Sequence, residues 1–137
     1  MAGRYPDYVS DIYKIVNRKI CNEYLMQCGK LRKKLLALHI KQAKEYINLC
    51  RKMNLRITKA ILFGSQATGT AHGDSDIDLL LVSDIFKANT LDNWKLLAPV
   101  TARLFNVEPH PYPEKNFLKG DPFIDEIKRT GIEIKLD

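Results

Sequence analysis

Residues 62–82 read LFGSQATGTAHGDSDIDLLLV, and this stretch decides the fold. The apolar segment 57–63 ends abruptly at Gly64-Ser65, which predicts a buried strand that enters a turn. Later in the same stretch, Asp76-Ile77-Asp78 leads into the wholly apolar run 79–82, which predicts a second, central strand. Two buried strands joined by a glycine-rich loop therefore form the centre of the predicted fold.

Two carboxylates mark the start of the second predicted strand. Residues i and i+2 of a strand point to the same face, so Asp76 and Asp78 are expected to project together. Neighbouring carboxylates resist joint ionisation unless a cation lies between them, and hard oxygen ligands of this kind suit Mg²⁺. The alternative is a solvent-exposed acidic pair, which explains one aspartate more easily than two. The pattern predicts a Mg²⁺ site.

The turn at Gly64-Ser65 predicts a phosphate site. An apolar strand that passes through Gly-Ser into a short helix presents backbone N–H groups and a hydroxyl at a helix N-terminus, where anions bind. Glycine allows close approach of the backbone, and Ser65 can donate a charge-assisted hydrogen bond. Gly-Ser alone is a common turn and cap pair. Together with Asp76 and Asp78, it predicts a nucleoside triphosphate bound through metal.

The rest of the chain supplies helices and two further strands. Apolar periodicity predicts helices over 8–27 (with a stop at Gly29), 31–53, 92–106 and 122–130, an edge strand over 107–112 and a last strand over 132–136. The side chains expected to face the core are Leu36, Ile40, Ala43, Ile47 and Cys50 in the helix over 31–53, and Trp94, Leu97, Val100, Leu104 and Phe105 in the helix over 92–106. This order predicts an α/β or α+β fold, a small mixed sheet of about four strands with helices packed on it. We expect one domain over residues 1–137, with a helical extension at 1–30 and a core at 31–137.

Composition narrows the function classes. The chain has 137 residues and a formal charge of +6, and its basic residues concentrate before residue 60 while aspartates cluster in the middle. This distribution suits a polyanionic substrate bridged to carboxylates by metal, although solvated helix faces explain many lysines equally well. The three cysteines lack paired spacing and are expected to be small apolar side chains. Without a signal peptide or a membrane-length apolar run, we expect a cytoplasmic protein.

These residues resemble the signature of the DNA polymerase β-like nucleotidyltransferase superfamily: a hydrophobic residue, Gly-Ser, a loop, then Asp-hydrophobic-Asp-hydrophobic. The small size resembles the stand-alone minimal nucleotidyltransferases. The resemblance implies that Gly64 and Ser65 bind phosphate and that Asp76 and Asp78 ligate divalent metals. It also implies a third carboxylate from a later strand, which completes a two-metal site. Glu108 is our candidate for it.

Two features depart from the family pattern. Aspartate is commoner than glutamate at the position given to Glu108, and Thr68 replaces an arginine that would help to hold the nucleotide. His110 and Tyr112 share the face of Glu108 by alternation. His110 is either a contact to phosphate or metal, or an ordinary surface histidine.

The predicted reaction moves a nucleoside monophosphate, AMP from ATP, to an acceptor hydroxyl with release of pyrophosphate. The alternative is a catalytically weak, antitoxin-like module of the same fold that acts by binding a helical partner protein; Thr68 favours it, and the Asp76/Asp78 pair opposes it. A nucleic-acid-binding domain is a third hypothesis, but the basic residues lack the interleaved aromatic side chains on which bases would stack.

The family resemblance also implies a protein partner that is small and all-helical. A second copy of the chain is the other partner considered.

Overall fold

The computed structural model describes the backbone of residues 7–64 and 76–136, and the side chains of residues 23, 27, 29–64 and 76–136. In chain order these ranges contain α1 (Asp7–Lys52), β1 (Lys59–Phe63), β2 (Ile77–Ser83), α2 (Thr90–Arg103), β3 (Val107–Pro113), α3 (Glu114–Lys119), α4 (Pro122–Thr130) and β4 (Ile132–Glu133). The chain divides into two compact units, Met1–Lys34 and Leu35–Asp137. All the strands above belong to the second unit.

Helix α1 passes through the position where a break was expected. The prediction of two helices separated at Gly29 is wrong, because α1 is one helix over Asp7–Lys52. Glycine costs a helix only about 1 kcal/mol relative to alanine, and the residues that follow, 30–36, are lysine, arginine and leucine, which are good helix formers. Gly29 is exposed, and an added Cβ would meet nothing within 4 Å. A single exposed glycine is therefore not enough to end this helix.

The sheet is mixed. Within the part of the chain that the structure describes, its strand order is β3-β2-β1-β4. Strand β1 is antiparallel to β2 and to β4, whereas β2 and β3 are parallel. The predicted fold class, a four-stranded mixed sheet with helices packed on it, is confirmed.

Each face of the sheet buries a separate apolar cluster. One face carries Leu62, Leu79 and Leu81, and the same cluster includes side chains from α1 and α2. The opposite face carries Ile61, Leu80 and Val82, and it packs against Phe117, Ile124 and Ile127 of α3 and α4. The apolar stripe predicted for the second half of α1 is confirmed, since Ala43, Ile47 and Cys50 are buried. The side chains of Cys21 and Cys28 lie outside the described residues.

The inward face of α2 differs from the predicted one. Leu97 and Val100 are buried as expected, but Trp94 is 41% exposed and Phe105 is 86% exposed. Phe105 lies beyond the helix, which ends at Arg103. The prediction that these two aromatic side chains belong to the core is wrong, because an apolar side chain on a helix can also lie at the surface.

A polar residue is buried in α2, next to the exposed Trp94. Asn93 is 1% exposed, and its side chain forms two hydrogen bonds with the backbone of Lys87. The Lys87 N–H donates to Asn93 Oδ1 at 2.9 Å, and Asn93 Nδ2 donates to the Lys87 carbonyl at 2.7 Å. The buried amide is thus paired on both sides and anchors the turn that precedes α2.

The C-terminal part contains one unexpected helix and one shortened strand. Helix α3 was not predicted, because the segment 114–119 is too short for a clear helical period. The strand predicted over 132–136 is limited to Ile132–Glu133. Ile134 still donates its N–H to the Ala60 carbonyl at 2.9 Å and is buried, so the chain leaves the sheet just beyond it. The helix predicted over 122–130 and the edge position of β3 are confirmed.

None of the helices within the described residues is both long enough and apolar enough to span a membrane.

Candidate active site

Three strands bring their ends together at one end of the sheet. In the register of β1 and β2, Phe63 faces Asp78, and in the register of β2 and β3, Asp78 faces Glu108. Residues that face each other across strands project to the same side. Because Ile61 faces Leu80 in the same ladder, Asp78 lies on the face that packs against α3 and α4. The two carboxylates thus project side by side from neighbouring parallel strands.

His110 joins the two carboxylates. Its Nε2 lies 3.3 Å from Asp78 Oδ1 and 4.0 Å from Glu108 Oε1. One ligand atom from each of Asp78, Glu108 and His110 lies within 4.8 Å of the others. The three side chains are partly exposed, at 28%, 52% and 33% respectively, so a substrate can reach them. Two carboxylate oxygens and one imidazole nitrogen form a donor set that fits a divalent cation.

Gly64 lies directly against this cluster. Its φ is +74°, in the left-handed region that favours glycine, and an added Cβ would lie 2.5 Å from Asp78 Oδ2. The absence of a side chain at residue 64 therefore lets the carboxylate keep its present position beside the turn after β1. Ser65, the second predicted phosphate ligand, lies outside the described residues, as does Thr68.

An aromatic side chain, Phe63, packs against the imidazole of His110, and a second aromatic side chain packs against Phe63. Phe63 packs edge-to-face against His110, with ring centroids 4.9 Å apart, and Phe123 packs edge-to-face against Phe63, with centroids 5.9 Å apart.

Tyr112 lies on the same face of β3 as His110, and its hydroxyl group donates a hydrogen bond to the Asp121 carboxylate. This hydrogen bond, followed by burial and the nearby Asp121 charge, raises the pKa of Tyr112 to about 12. The same bond, followed by the Ile124 N–H, lowers the pKa of Asp121.

The predicted site residues are distributed as follows. Asp78 and Glu108 are neighbours, as a shared metal site requires. Asp76 is exposed and lies one residue before β2, and it is not part of the group of three. His110 lies on the same face of β3 as Glu108 and joins the group. The sequence left open whether His110 is a contact to phosphate or metal or an ordinary surface histidine. Alternation along 107–112 placed Glu108 and His110 together, but no sequence signal showed that this strand pairs with β2.

The family of the chain follows from comparison with known protein families. The model of the nucleotidyltransferase domain family matches residues 43–134, and the chain belongs to this family. The match covers all the strands described above, including the residues of the cluster.

Two proteins are similar to this chain, one in sequence over a short stretch and one in fold. A candidate protein adenylyltransferase of Methanocaldococcus jannaschii is 48% identical over 46 residues, which cover 33% of this chain and 46% of that protein. The match thus spans less than half the length of that relative. A candidate nucleotidyltransferase of Sulfolobus solfataricus shares the fold with a TM-score of 0.57 at 22% identity, over 74% of this chain and 84% of its own.

Proposed function

We propose that this nucleotidyltransferase moves AMP from ATP to a hydroxyl group of an acceptor and releases pyrophosphate, in a reaction that depends on Mg²⁺ or a similar divalent ion. The observation that carries the proposal is the facing pair Asp78 and Glu108, which project beside the turn at Gly64. Adjacent carboxylates beside a glycine turn can hold a cation and a triphosphate together.

The proposed site residues fall into two groups, one that binds the phosphates and one that holds the metal ions. Gly64 and Ser65 bind the phosphates through the backbone and a hydroxyl. Asp76 and Asp78 hold the metal ions, and Glu108 holds the one on the acceptor side. In the reaction the acceptor oxygen bonds to the α-phosphorus while the bond from that phosphorus to pyrophosphate breaks. The metal ions, when bound, offset the charge that develops on the phosphoryl oxygens and make the acceptor hydroxyl more acidic.

The proposed acceptor is a hydroxyl-bearing side chain of a protein. The name of the Methanocaldococcus relative, a protein adenylyltransferase, supports this choice, and its similarity covers 46 residues. The partner proposed from the sequence, a small helical protein or a second copy of the chain, would then supply the acceptor.

Radiolabel transfer tests the reaction. The protein is incubated with α-³²P-ATP and Mg²⁺, both alone and with a small helical protein as the candidate acceptor, and pyrophosphate release is measured in parallel. We expect label on protein in the wild type and none in Asp78→Asn. Glu133→Gln is the matched control, because Glu133 is exposed on the opposite edge strand and pairs with Lys59 at 3.7 Å. Label in Asp78→Asn at the wild-type level would contradict the proposal.

Calorimetry separates the enzyme from a regulatory module of the same fold. Binding of ATP that requires Mg²⁺ and is lost in Asp76→Asn/Asp78→Asn agrees with the enzyme. A wild-type protein that binds a helical partner tightly but binds no ATP at any Mg²⁺ concentration would favour the antitoxin-like module.

A further inference from the structure

The cluster at the sheet end contains a nitrogen donor as well as two carboxylates. We propose that Nε2 of His110 is a direct ligand of the cation held by Asp78 and Glu108, and that this position selects Mn²⁺ or a similar first-row transition ion over Mg²⁺. The proposal deepens the proposed function, on which it rests only in assuming that these carboxylates hold a metal.

The distances suit a shared cation. Two atoms bound to one ion at about 2.1 Å can lie at most about 4.2 Å apart. The imidazole nitrogen is 3.3 Å from Asp78 Oδ1 and 4.0 Å from Glu108 Oε1, so both separations already lie within that limit. The full set of three atoms lies within 4.8 Å, and Glu108, the most exposed of the three side chains at 52%, has the most freedom to close the remaining gap.

The strands and Phe63 direct the imidazole toward the carboxylates. His110 follows Glu108 by two residues on β3, so both side chains leave the same face of the sheet. The edge-to-face contact with Phe63, at 4.9 Å between ring centroids, limits the orientations of the ring. A pre-oriented nitrogen donor loses little conformational entropy when it binds a cation.

The donor set determines which ion is favoured. Mg²⁺ prefers oxygen ligands, whereas imidazole nitrogen suits Mn²⁺, Fe²⁺, Co²⁺ and Zn²⁺ increasingly well. A site of three carboxylates would lack this preference. The nitrogen of His110 therefore favours a transition ion at the Asp78 and Glu108 position, while the oxygen-only position predicted at Asp76 and Asp78 retains its suitability for Mg²⁺.

His110 also has a second possible role, which the test must distinguish. Its Nε2 is within hydrogen-bonding distance of Asp78 Oδ1, so it could orient the carboxylate without touching the metal. Glutamine can donate a similar hydrogen bond but is a poor ligand for transition ions. His110→Gln therefore preserves a positioning role and removes a ligand.

Electron paramagnetic resonance identifies the atoms that are bound to Mn²⁺. The metal-free protein is titrated with Mn²⁺ in the absence of nucleotide. Electron spin-echo envelope modulation detects nitrogen bound to Mn²⁺, and labelling with ¹⁵N-histidine identifies it as imidazole. We expect this signal in the wild type, with Mn²⁺ bound at least about tenfold more tightly than Mg²⁺. In His110→Gln we expect loss of the signal and Mn²⁺ binding weakened about 10- to 100-fold, with Mg²⁺ binding changed less than about threefold. His39→Gln, a change elsewhere in the chain, should keep the signal.

Bound Mn²⁺ without histidine nitrogen in its shell would overturn the proposal, as would unchanged Mn²⁺ affinity in a folded His110→Gln protein. A wild type that binds no Mn²⁺ at millimolar concentration would overturn it too. The nitrogen signal in the wild type does not depend on whether the variant folds. Nucleotidyl transfer without a nitrogen signal would refute this inference alone, and a nitrogen signal without any transfer would refute the proposed function alone.

Discussion

A Cβ atom on Gly64 would lie 2.5 Å from Oδ2 of Asp78, closer than real Cβ contacts allow. A side chain at residue 64 would therefore require the Asp78 carboxylate on β2 to move from its present position. Since Asp78 also faces Glu108, a change at Gly64 disturbs the whole acidic cluster.

Gly64→Ala is expected to abolish metal-dependent ATP binding, because the new methyl group displaces the Asp78 carboxylate. The positive φ of +74° adds a stability cost of about 1–2 kcal/mol for a residue with a Cβ. Calorimetry with ATP and metal, together with urea unfolding, measures the two effects. Gly29→Ala is the matched control: it should keep ATP binding and gain up to about 1 kcal/mol, because Gly29 is exposed in a helix. Normal ATP binding by Gly64→Ala would show that the contact is not required.

Glu108→Gln should leave ATP binding largely intact and lower turnover about a hundredfold or more, if Glu108 acts on the acceptor side of the reaction. The amide preserves shape and removes the charge that a metal needs. Steady-state kinetics of pyrophosphate release, compared with the affinity for ATP, separate turnover from binding. Glu133→Gln provides the control. Unchanged turnover would remove Glu108 from the mechanism.

The hydrogen bond between Tyr112 and Asp121 should make stability fall at both ends of the pH range. The pKa of Tyr112 is raised from 10.0 to about 12, so its contribution is complete below pH 10 and is lost as the pH rises toward 12. The pKa of Asp121 is lowered, so its contribution is present above pH 3.8 and is lost as the pH falls further. Tyr112→Phe should therefore show a smaller drop in melting temperature between pH 9 and pH 11 than the wild type, a comparison that thermal melts provide. Identical slopes would argue against the bond.

Asn93→Ala should destabilise the fold by about 2–4 kcal/mol, because it leaves the Lys87 N–H and carbonyl without their partners near the core. Urea unfolding monitored by circular dichroism measures the change. Lys95→Ala, an exposed position on the same helix, should change stability by less than about 0.5 kcal/mol. A loss below about 1 kcal/mol in Asn93→Ala would mean that water replaces the amide.

The sequence predicted the elements whose patterns are local. The apolar runs 57–63 and 79–82 each predicted a strand, because a strand buried on both faces is a short continuous apolar run. The alternation over 107–112 predicted a third strand. Gly29 and Phe105 misled the prediction, because a glycine does not always end a helix and an aromatic residue is not always buried. Asn93 was missed because its partner, the Lys87 backbone, has no signature in the sequence.

Part of the candidate site follows from the sequence and part does not. The motif at Gly64 and Asp78 is contiguous in the chain, so its spacing alone predicted a phosphate and metal site. The family resemblance supplied Glu108 as a candidate, but the position of Glu108 and His110 beside Asp78 required the register of two parallel strands that are joined through α2, and register is a tertiary property. The functional roles of all five predicted site residues stay predictions: Gly64, Ser65, Asp76, Asp78 and Glu108.

The prolines of β3 have a consequence for self-association. Pro109, Pro111 and Pro113 occupy alternate positions on this edge strand, and alternate backbone N–H positions point to the same side. The N–H groups of Glu108, His110 and Tyr112 are thus the ones available to β2, and every position in 109–113 that turns outward lacks a hydrogen. Along this edge of the sheet, a strand from another molecule would meet backbone carbonyl acceptors but no N–H donors over residues 109–113. The edge beside the acidic cluster is therefore protected from strand addition, and with it from the edge-to-edge aggregation that threatens an open sheet.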